Sequence, residues 1–484
     1  MVTLGCAGDV PPAGIIGHVR AYFGGIAADE PEAVLIARDV LSAGGSAVDA
    51  VVSMGLTMMV TRPDAAGAGG GGMCVVFDAK SGKGEALEFL PHAPRSPAPA
   101  GRWLAASPGS FRGLFALHAR YGNLRWEQLV LPAERLARFG VRVPRVVTRV
   151  LAGAGKSALK GPRGRAIFFD VAGAPLREGD VLRQVDLAAT LGRIRTAGPG
   201  DFYSGLLARK FADGVRLAGG WLTIEDLRGY RPKWITARSG TSGVHDVYFL
   251  PTPAAGGEVA AEIWSKLGDK GLLTGIFTKA GDAEIATRIA AAARQGYAAA
   301  LVQPQYETAI VSAGALAIDR LGNSAACVLT MNRPFGSGHV AGDTGVIVVE
   351  PSRTRALLAL SAMIVANRNT KQTFLIATGA GDQFSSSAMM GVVLKILEGK
   401  MDVEPALRAA RSSAAGGKIS VLVEPTISAA VKTALGGNAR QVREVPRIGQ
   451  VNIMSCPEGI VERPDKCVVR TDPRGFGYAI NAEF

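Results

Sequence analysis

Between residues 312 and 332 two apolar runs, the first alternating small with larger side chains, flank a cluster of polar and turn-forming positions. Small and apolar side chains run from Ser312 to Ile318 and meet an Asp319-x-x-Gly322-Asn323 turn. A second apolar run, Ala325 to Leu329, comes back from it. An alternating run, a turn of this composition and an apolar return run predict a β-hairpin. Strand side chains alternate faces, so Thr330 and Asn332 should point the same way and return level with Ser312. Two hydroxyls and a carboxamide would then sit together at a strand end. Elsewhere the period changes. Between Asp29 and Val60, apolar residues recur at three- and four-residue steps, with Pro31 suited to a first helical turn. Gly44-Gly45-Ser46 should break that helix and restart it. Strands are predicted at Met73–Phe77 and Glu85–Phe89, and a helix carries Trp126. Leu131-Pro132-Ala133 is expected to open another helix, and His339–Val349 to form another apolar strand.

Gly67-Ala68-Gly69-Gly70-Gly71-Gly72 resembles a phosphate-binding loop only superficially. No Lys-Ser/Thr follows it, and the next element is a strand rather than a helix, which argues against nucleotide binding. Backbone packed too closely for side chains is the expected cause. The chain has 484 residues, 48% hydrophobic and 20% charged, enough for one large core or two ordinary ones. Lys and Arg outnumber Asp and Glu by 54 to 41. The excess is diffuse except from Arg142 to Arg165, where no aromatic residue interleaves as a strand-binding surface would require. That stretch is expected to be a solvated loop, and nucleic acid is not expected as a partner. No apolar run approaches the roughly 18 residues of a membrane span.

The start, Met1-Val-Thr-Leu-Gly-Cys6, followed by a Pro-containing tether, looks like a bacterial lipoprotein just past its signal's apolar core. Two localisations stand: a periplasmic or lipid-anchored protein modified at Cys6, or a cytoplasmic one in which the pattern is chance. Five cysteines leave one over if pairs form, and Cys456 and Cys467 could be bridged in an oxidising compartment. None has metal-site spacing, and no cofactor is expected.

The hairpin resembles the start of the small subunit of gamma-glutamyltranspeptidases, a family of N-terminal nucleophile hydrolases. There, Thr-Thr-His precedes a short strand, an Asp-x-x-Gly-Asn turn and a Thr-x-Thr-x-Asn return. Counting back seven places from Asp319 lands on Ser312, so the family's nucleophilic Thr is Ser here. Its two followers are Ala313-Gly314 instead of Thr-His. Thr330 matches the threonine that hydrogen-bonds the nucleophile, and Asn332 the asparagine that helps hold the substrate's amino-acid head. Further matches run from about residue 28 to the end. They include Gly44-Gly45-Ser46-Ala47-Val48-Asp49-Ala50, Ser107-Pro-Gly109, Phe202-Tyr203-Ser204-Gly205 and Asp472-Pro473-Arg474-Gly475. The resemblance implies an α/β (α+β) fold, a four-layer αββα sandwich. It also implies an N-terminal tether (1–27) and two fragments of one domain, 28–311 and 312–484, which associate after self-processing before Ser312.

The departures concern recognition. The family's carboxylate-clamping Arg is Leu90, in Leu90-Pro91-His92-Ala93-Pro94, and its two substrate-binding serines fall at Leu358 and Ala359. Arg353 and Arg355 are the nearest replacements for the clamp. Ala380 and Gly381 stand where paired glycine amides form the family's oxyanion hole, a role backbone N–H groups fill without a particular side chain. An amine freed at Ser312, of pKa about 7.7–8.0, would serve as the base for its hydroxyl. Thr308 is a secondary nucleophile candidate, and His92 and His339 are expected to be hydrogen-bonded supports rather than bases. Three readings follow. One is an amidohydrolase or acyltransferase of altered specificity acting on a small-molecule or peptide amide; the second is an authentic gamma-glutamyltransferase with a rebuilt clamp; the third is a non-catalytic scaffold.

Overall fold

The computed structural model describes residues 24–154, 158–268, 281–305, 310–352, 354–415, 421–436 and 441–481. Cys6, Thr308 and Arg353 lie outside the described residues, as does the side chain of Arg355. Two helices follow the first strand, β1 (Gly24–Ala28). Helix α1 (Pro31–Ser42) starts with Pro31 in its first turn, and the Glu30 carboxylate accepts the N–H groups of Glu32 and Ala33. Helix α2 (Ala47–Thr61) begins at the predicted restart, where Ser46 and Asp49 form a capping box. Every residue of α2 is buried, including the polar Asp49, Ser53, Thr57 and Thr61, so the helix lies inside the core rather than on its surface.

Thirteen strands make the two main sheets. The remaining twelve are β2 (Gly71–Asp78), β3 (Lys83–Phe89), β4 (Lys233–Thr236), β5 (Arg238–Ser242), β6 (His245–Phe249), β7 (Val311–Asp319), β8 (Ser324–Asn332), β9 (Ser361–Asn367), β10 (Gln372–Ala380), β11 (Gln450–Ser455), β12 (Val468–Arg470) and β13 (Tyr478–Asn481). The first sheet runs β13-β1-β7-β8-β2-β3-β4 and the second β12-β11-β10-β9-β6-β5. Side chains from one face of each sheet interleave: Met73, Leu316 and Val328 pack with Met363, Ile376 and Ile453. The other face of the first sheet packs through Cys74, Ala315 and Leu329 on α1 and α2. The far side of the second sheet is covered by Ala255–Leu267, Asp282–Ala299 and Ser385–Leu397. Helix, sheet, sheet, helix is the expected four-layer order. Among the described residues two disulfides lie in the core: Cys456–Cys467, bridged as its spacing allowed, and Cys74–Cys327, between neighbouring strands.

The glycine run packs as its spacing suggested. A Cβ on Gly69 would lie 1.9 Å from the Ile347 carbonyl oxygen, and one on Gly70 2.3 Å from that of Thr330. Three expectations fail. Leu131–Ala133 opens no helix, because Pro132 lies inside a single helix, Trp126–Phe139, anchored by buried Leu129, Val130, Ala133 and Ala137. His339–Val349 is not a strand; Gly342 and Gly345 turn the chain through positive φ, leaving a single bridge between Val340 and Ile347. Arg142–Arg165 is not a loop but carries helices Arg145–Ala154 and Gly161–Phe168. Their apolar residues Val146, Val147, Leu151 and Phe168 pack on Phe335.

Candidate active site

The hairpin forms with the expected register. Strands β7 and β8 are antiparallel, Ser312 is opposite Thr330, and a bulge separates Val311 from Ser312. Asp319 closes the turn: one carboxylate oxygen accepts the N–H groups of Leu321 and Asn323, and the other accepts that of Ala47 at the start of α2. Burial pushes this carboxyl above its ordinary range, against the pull of those N–H donors. A second buried carboxylate, Asp29, accepts the Gly314 N–H at 2.7 Å and the Asn452 amide at 2.9 Å. Together they fix both ends of β7.

Ser312 faces the second sheet, as does Gly314 two residues on, whose absent side chain leaves room for Thr378. Ser312 is 1% exposed. Its hydroxyl donates to the Ala359 carbonyl at 2.7 Å and accepts the Gly381 N–H at 3.0 Å. Gly381 follows β10 with φ +95°, a conformation that suits glycine and turns its amide toward Ser312. Ala380 is the last residue of β10, paired with Gln450. Of the two oxyanion candidates, Gly381 is the one whose amide reaches the hydroxyl. Next to it, the Asp382 carboxyl is raised by burial and accepts the N–H groups of Phe384 and Gly449.

Thr330 donates its hydroxyl to the Val311 carbonyl at 2.7 Å rather than to Ser312, and accepts the Asn332 N–H at 2.8 Å. Asn332 adopts φ +63°. Its amide nitrogen donates to the Glu350 carbonyl at 2.9 Å, and its oxygen accepts from Ser352 at 3.1 Å. Glu350 and Ser352 carried no sequence signal, since their partner is distant in the chain and the motif ends before them.

The recognition positions separate. Leu90 is 4% exposed and lines an open cleft of about 740 Å³ with Glu88, His92, Tyr230 and Ser352. Ser352 links this cleft to Asn332, but Ser312 itself does not line it. Leu358 and Ala359 belong to the 3-10 turn Thr354–Ala359. Leu358 enters the core between the sheets, while Ala359 packs with Ile310 and Ala356 and offers Ser312 its carbonyl. His92 contacts the buried Glu88 carboxylate at 3.2 Å, and His339 stacks on Trp103. Among the described residues, no cluster of His, Cys, Asp or Glu is arranged to hold a metal, and no helix is long and apolar enough to cross a membrane.

The model of the family described as Gamma-glutamyltranspeptidase matches residues 33–302. The chain belongs to the gamma-glutamyltranspeptidase family. The match ends before Ser312, so the position of the nucleophile candidate rests on the hairpin geometry. The chain is 29% identical over 385 residues to a glutathione hydrolase proenzyme of Escherichia coli, covering 68% of this chain and 66% of that protein. It is 33% identical over 249 residues to glutathione hydrolase 3 of Arabidopsis thaliana, covering 49% and 39%. It thus matches less than two thirds of the length of either relative. Its fold matches that of a cephalosporin acylase from Bacillus halodurans, with TM-score 0.80, 21% identity and 99% of both chains covered. That likeness extends over the whole four-layer architecture, including the hairpin.

Proposed function

We propose that the protein is an amidohydrolase or acyltransferase that cleaves its own chain before Ser312 and then uses Ser312 as its N-terminal nucleophile. The observation that carries the reading is the arrangement at the Val311–Ser312 peptide. The Gly381 amide binds the Ser312 hydroxyl, and Thr330 donates to the Val311 carbonyl, the group that Ser312 would attack. In the processing step the Ser312 Oγ–C bond forms at Val311 as the C–N bond breaks. The hydroxyl proton passes to the released nitrogen, and water then hydrolyses the ester, leaving a Val311 carboxylate and a free α-amine. That amine, of pKa about 7.7–8.0, accepts the hydroxyl proton when Ser312 attacks a substrate amide. The Gly381 N–H, with Ala380 beside it, holds the oxyanion, and water or an amine resolves the acyl-enzyme.

Specificity follows from the recognition positions. A free amino-acid head brings a carboxylate and an ammonium that each need partners in a partly dry pocket. Leu90, Leu358 and Ala359 supply no polar side chain for the carboxylate. A charge-assisted hydrogen bond contributes roughly 1.5–3 kcal/mol, so losing several weakens kcat/KM for gamma-glutamyl compounds by well over about a hundredfold. Neutral acyl-amides or peptides should compete better. Intact mass under denaturing, reducing conditions tests processing: a fragment beginning with Ser312 is expected, and none from Ser312→Ala. A wild-type chain that stays uncut would favour a scaffold. If the processed protein turns over gamma-glutamyl-p-nitroanilide as an ordinary transpeptidase does, the altered-specificity reading fails.

A further inference from the structure

Cys74 on β2 and Cys327 on β8 are paired across neighbouring strands of the first sheet. They are 0% and 1% exposed and joined as a disulfide. Both point to the helical face, into the core with Val76 and Leu329, whereas Ser312 lies on the opposite face of the same sheet. They are 253 residues apart in sequence, and Ser312 falls between them. We propose that Cys74 and Cys327 are an oxidative modification site that covalently joins the two fragments made by cleavage before Ser312. The processed protein is then one molecule of two disulfide-linked chains. The inference rests on the processing reading given above.

The second disulfide cannot do this, because Cys456 and Cys467 both belong to the later fragment. Forming the Cys74–Cys327 bond takes two protons and two electrons from the two thiols. A disulfide-bearing oxidant, protein or small molecule, accepts them by thiol–disulfide exchange and leaves as two thiols. Exchange needs an exposed thiolate, so the bond forms before β2 and β8 close into the sheet. Once closed, the sheet shields it from reductants. The consequence is thermodynamic as well as covalent. Two unlinked fragments part on unfolding, so their midpoint rises with protein concentration, whereas linked fragments unfold as one molecule and show no such dependence.

The test is intact mass spectrometry on the full chain, made under oxidising conditions and alkylated in denaturant with and without reductant. Unreduced protein should give one species, heavier than the uncut chain by one water apart from the disulfide hydrogens and alkyl groups. Reduction should release two fragments, the second starting at Ser312. Cys6→Ser should change neither result, and Cys327→Ala or Cys74→Ala should yield two separate fragments without reductant. Two free fragments from unreduced wild-type protein would overturn the cross-link. A chain uncut under both conditions refutes processing, and the disulfide is then decided by proteolysis without reduction. A peptide pair joined through Cys74 and Cys327 upholds the bond; alkylated Cys74 and Cys327 overturn it.

Discussion

Replacing Thr330 by valine isolates one hydroxyl at the Val311–Ser312 peptide. The side chain is fully buried, and valine keeps the β-branched shape that suits the strand. Two bonds are lost. One is donated to the Val311 carbonyl at 2.7 Å, and the other is accepted from the Asn332 N–H at 2.8 Å. The second loss leaves a buried N–H unpaired and should cost about 1–3 kcal/mol of stability. The first bears on rate. As Ser312 attacks, negative charge develops on the oxygen that Thr330 contacts, so this donor strengthens in the transition state. Removing a donor of this kind costs roughly 100- to 1,000-fold, or about 2.7–4 kcal/mol. Processing in Thr330→Val should therefore slow by about a hundredfold or more, while Thr330→Ser, which keeps the hydroxyl, should stay within about tenfold. The rate is read from the appearance of the Ser312 fragment by mass spectrometry after the protein is folded. Urea midpoints measured in parallel show that each variant is folded. A Thr330→Val protein that is folded and cleaves within a few-fold of wild type would refute the role of this hydroxyl.

Two further outcomes concern the frame around the site. Gly69→Ala should destabilise by about 3 kcal/mol or more, because its Cβ would lie 1.9 Å from a backbone oxygen that cannot easily move. Gly391→Ala, in the helix Ser385–Leu397 with nothing within 4 Å of its Cβ, should be neutral or stabilise by up to about 1 kcal/mol, and urea midpoints check both. Burial, with a smaller contribution from Lys160, holds the His339 imidazole below its usual value of 6.5. The unfolded chain therefore takes up this proton first as pH falls. Stability from His339 is present above the unfolded value and declines as pH drops below 6.5 toward the folded one. His339→Gln should flatten the dependence of the urea midpoint on pH across that window, and an unchanged slope would remove the effect.

The hairpin was readable because its signals are local. Alternation places Thr330, and Asp319 with Gly322-Asn323 fixes the turn, so the register opposite Ser312 follows; Asn332 escapes it, because the bulge at Val311 and its own positive φ break the alternation there. The glycine run was readable for a different reason: a strand without side chains implies a close neighbour, and the Ile347 and Thr330 carbonyls are that neighbour. What failed was decided by distant packing. Pro132 signals a helix start, yet Leu129, Val130 and Ala133 bury themselves on both sides of it and carry the helix through, offsetting about 3 kcal/mol of local cost. The basic charges from Arg142 to Arg165 hid an apolar stripe, Val146, Val147 and Leu151, that packs on Phe335. The Cys74–Cys327 pairing and the Asn332–Ser352 bond join residues whose proximity depends on sheet order or loop path, which no local pattern encodes.

The two halves of the proposed site depend on different parts of the chain, so a reaction centre could be kept while recognition differs. The proposed reaction centre is built largely from backbone: the Gly381 N–H, the Ala359 carbonyl and the Val311 carbonyl each contact a hydroxyl of Ser312 or Thr330. Substituting neighbouring side chains leaves those groups in place as long as the sheets pack. In the proposed reading, recognition of a charged head would depend on side chains at Leu90, Leu358 and Ala359, and two of these pack elsewhere. Leu358 fills the core between the sheets, and Ala359 sits in its own small apolar cluster. At Leu90 the buried Glu88 carboxylate accepts the backbone N–H at 2.8 Å and contacts His92 at 3.2 Å. An arginine restored there would meet that carboxylate before it met a ligand's. Restoring the clamp therefore requires repacking the 3-10 turn as well as one substitution. On the proposed reading, the absence of a polar clamp is built into the core, while the hydroxyls and amides of the proposed reaction centre lie aligned beside it.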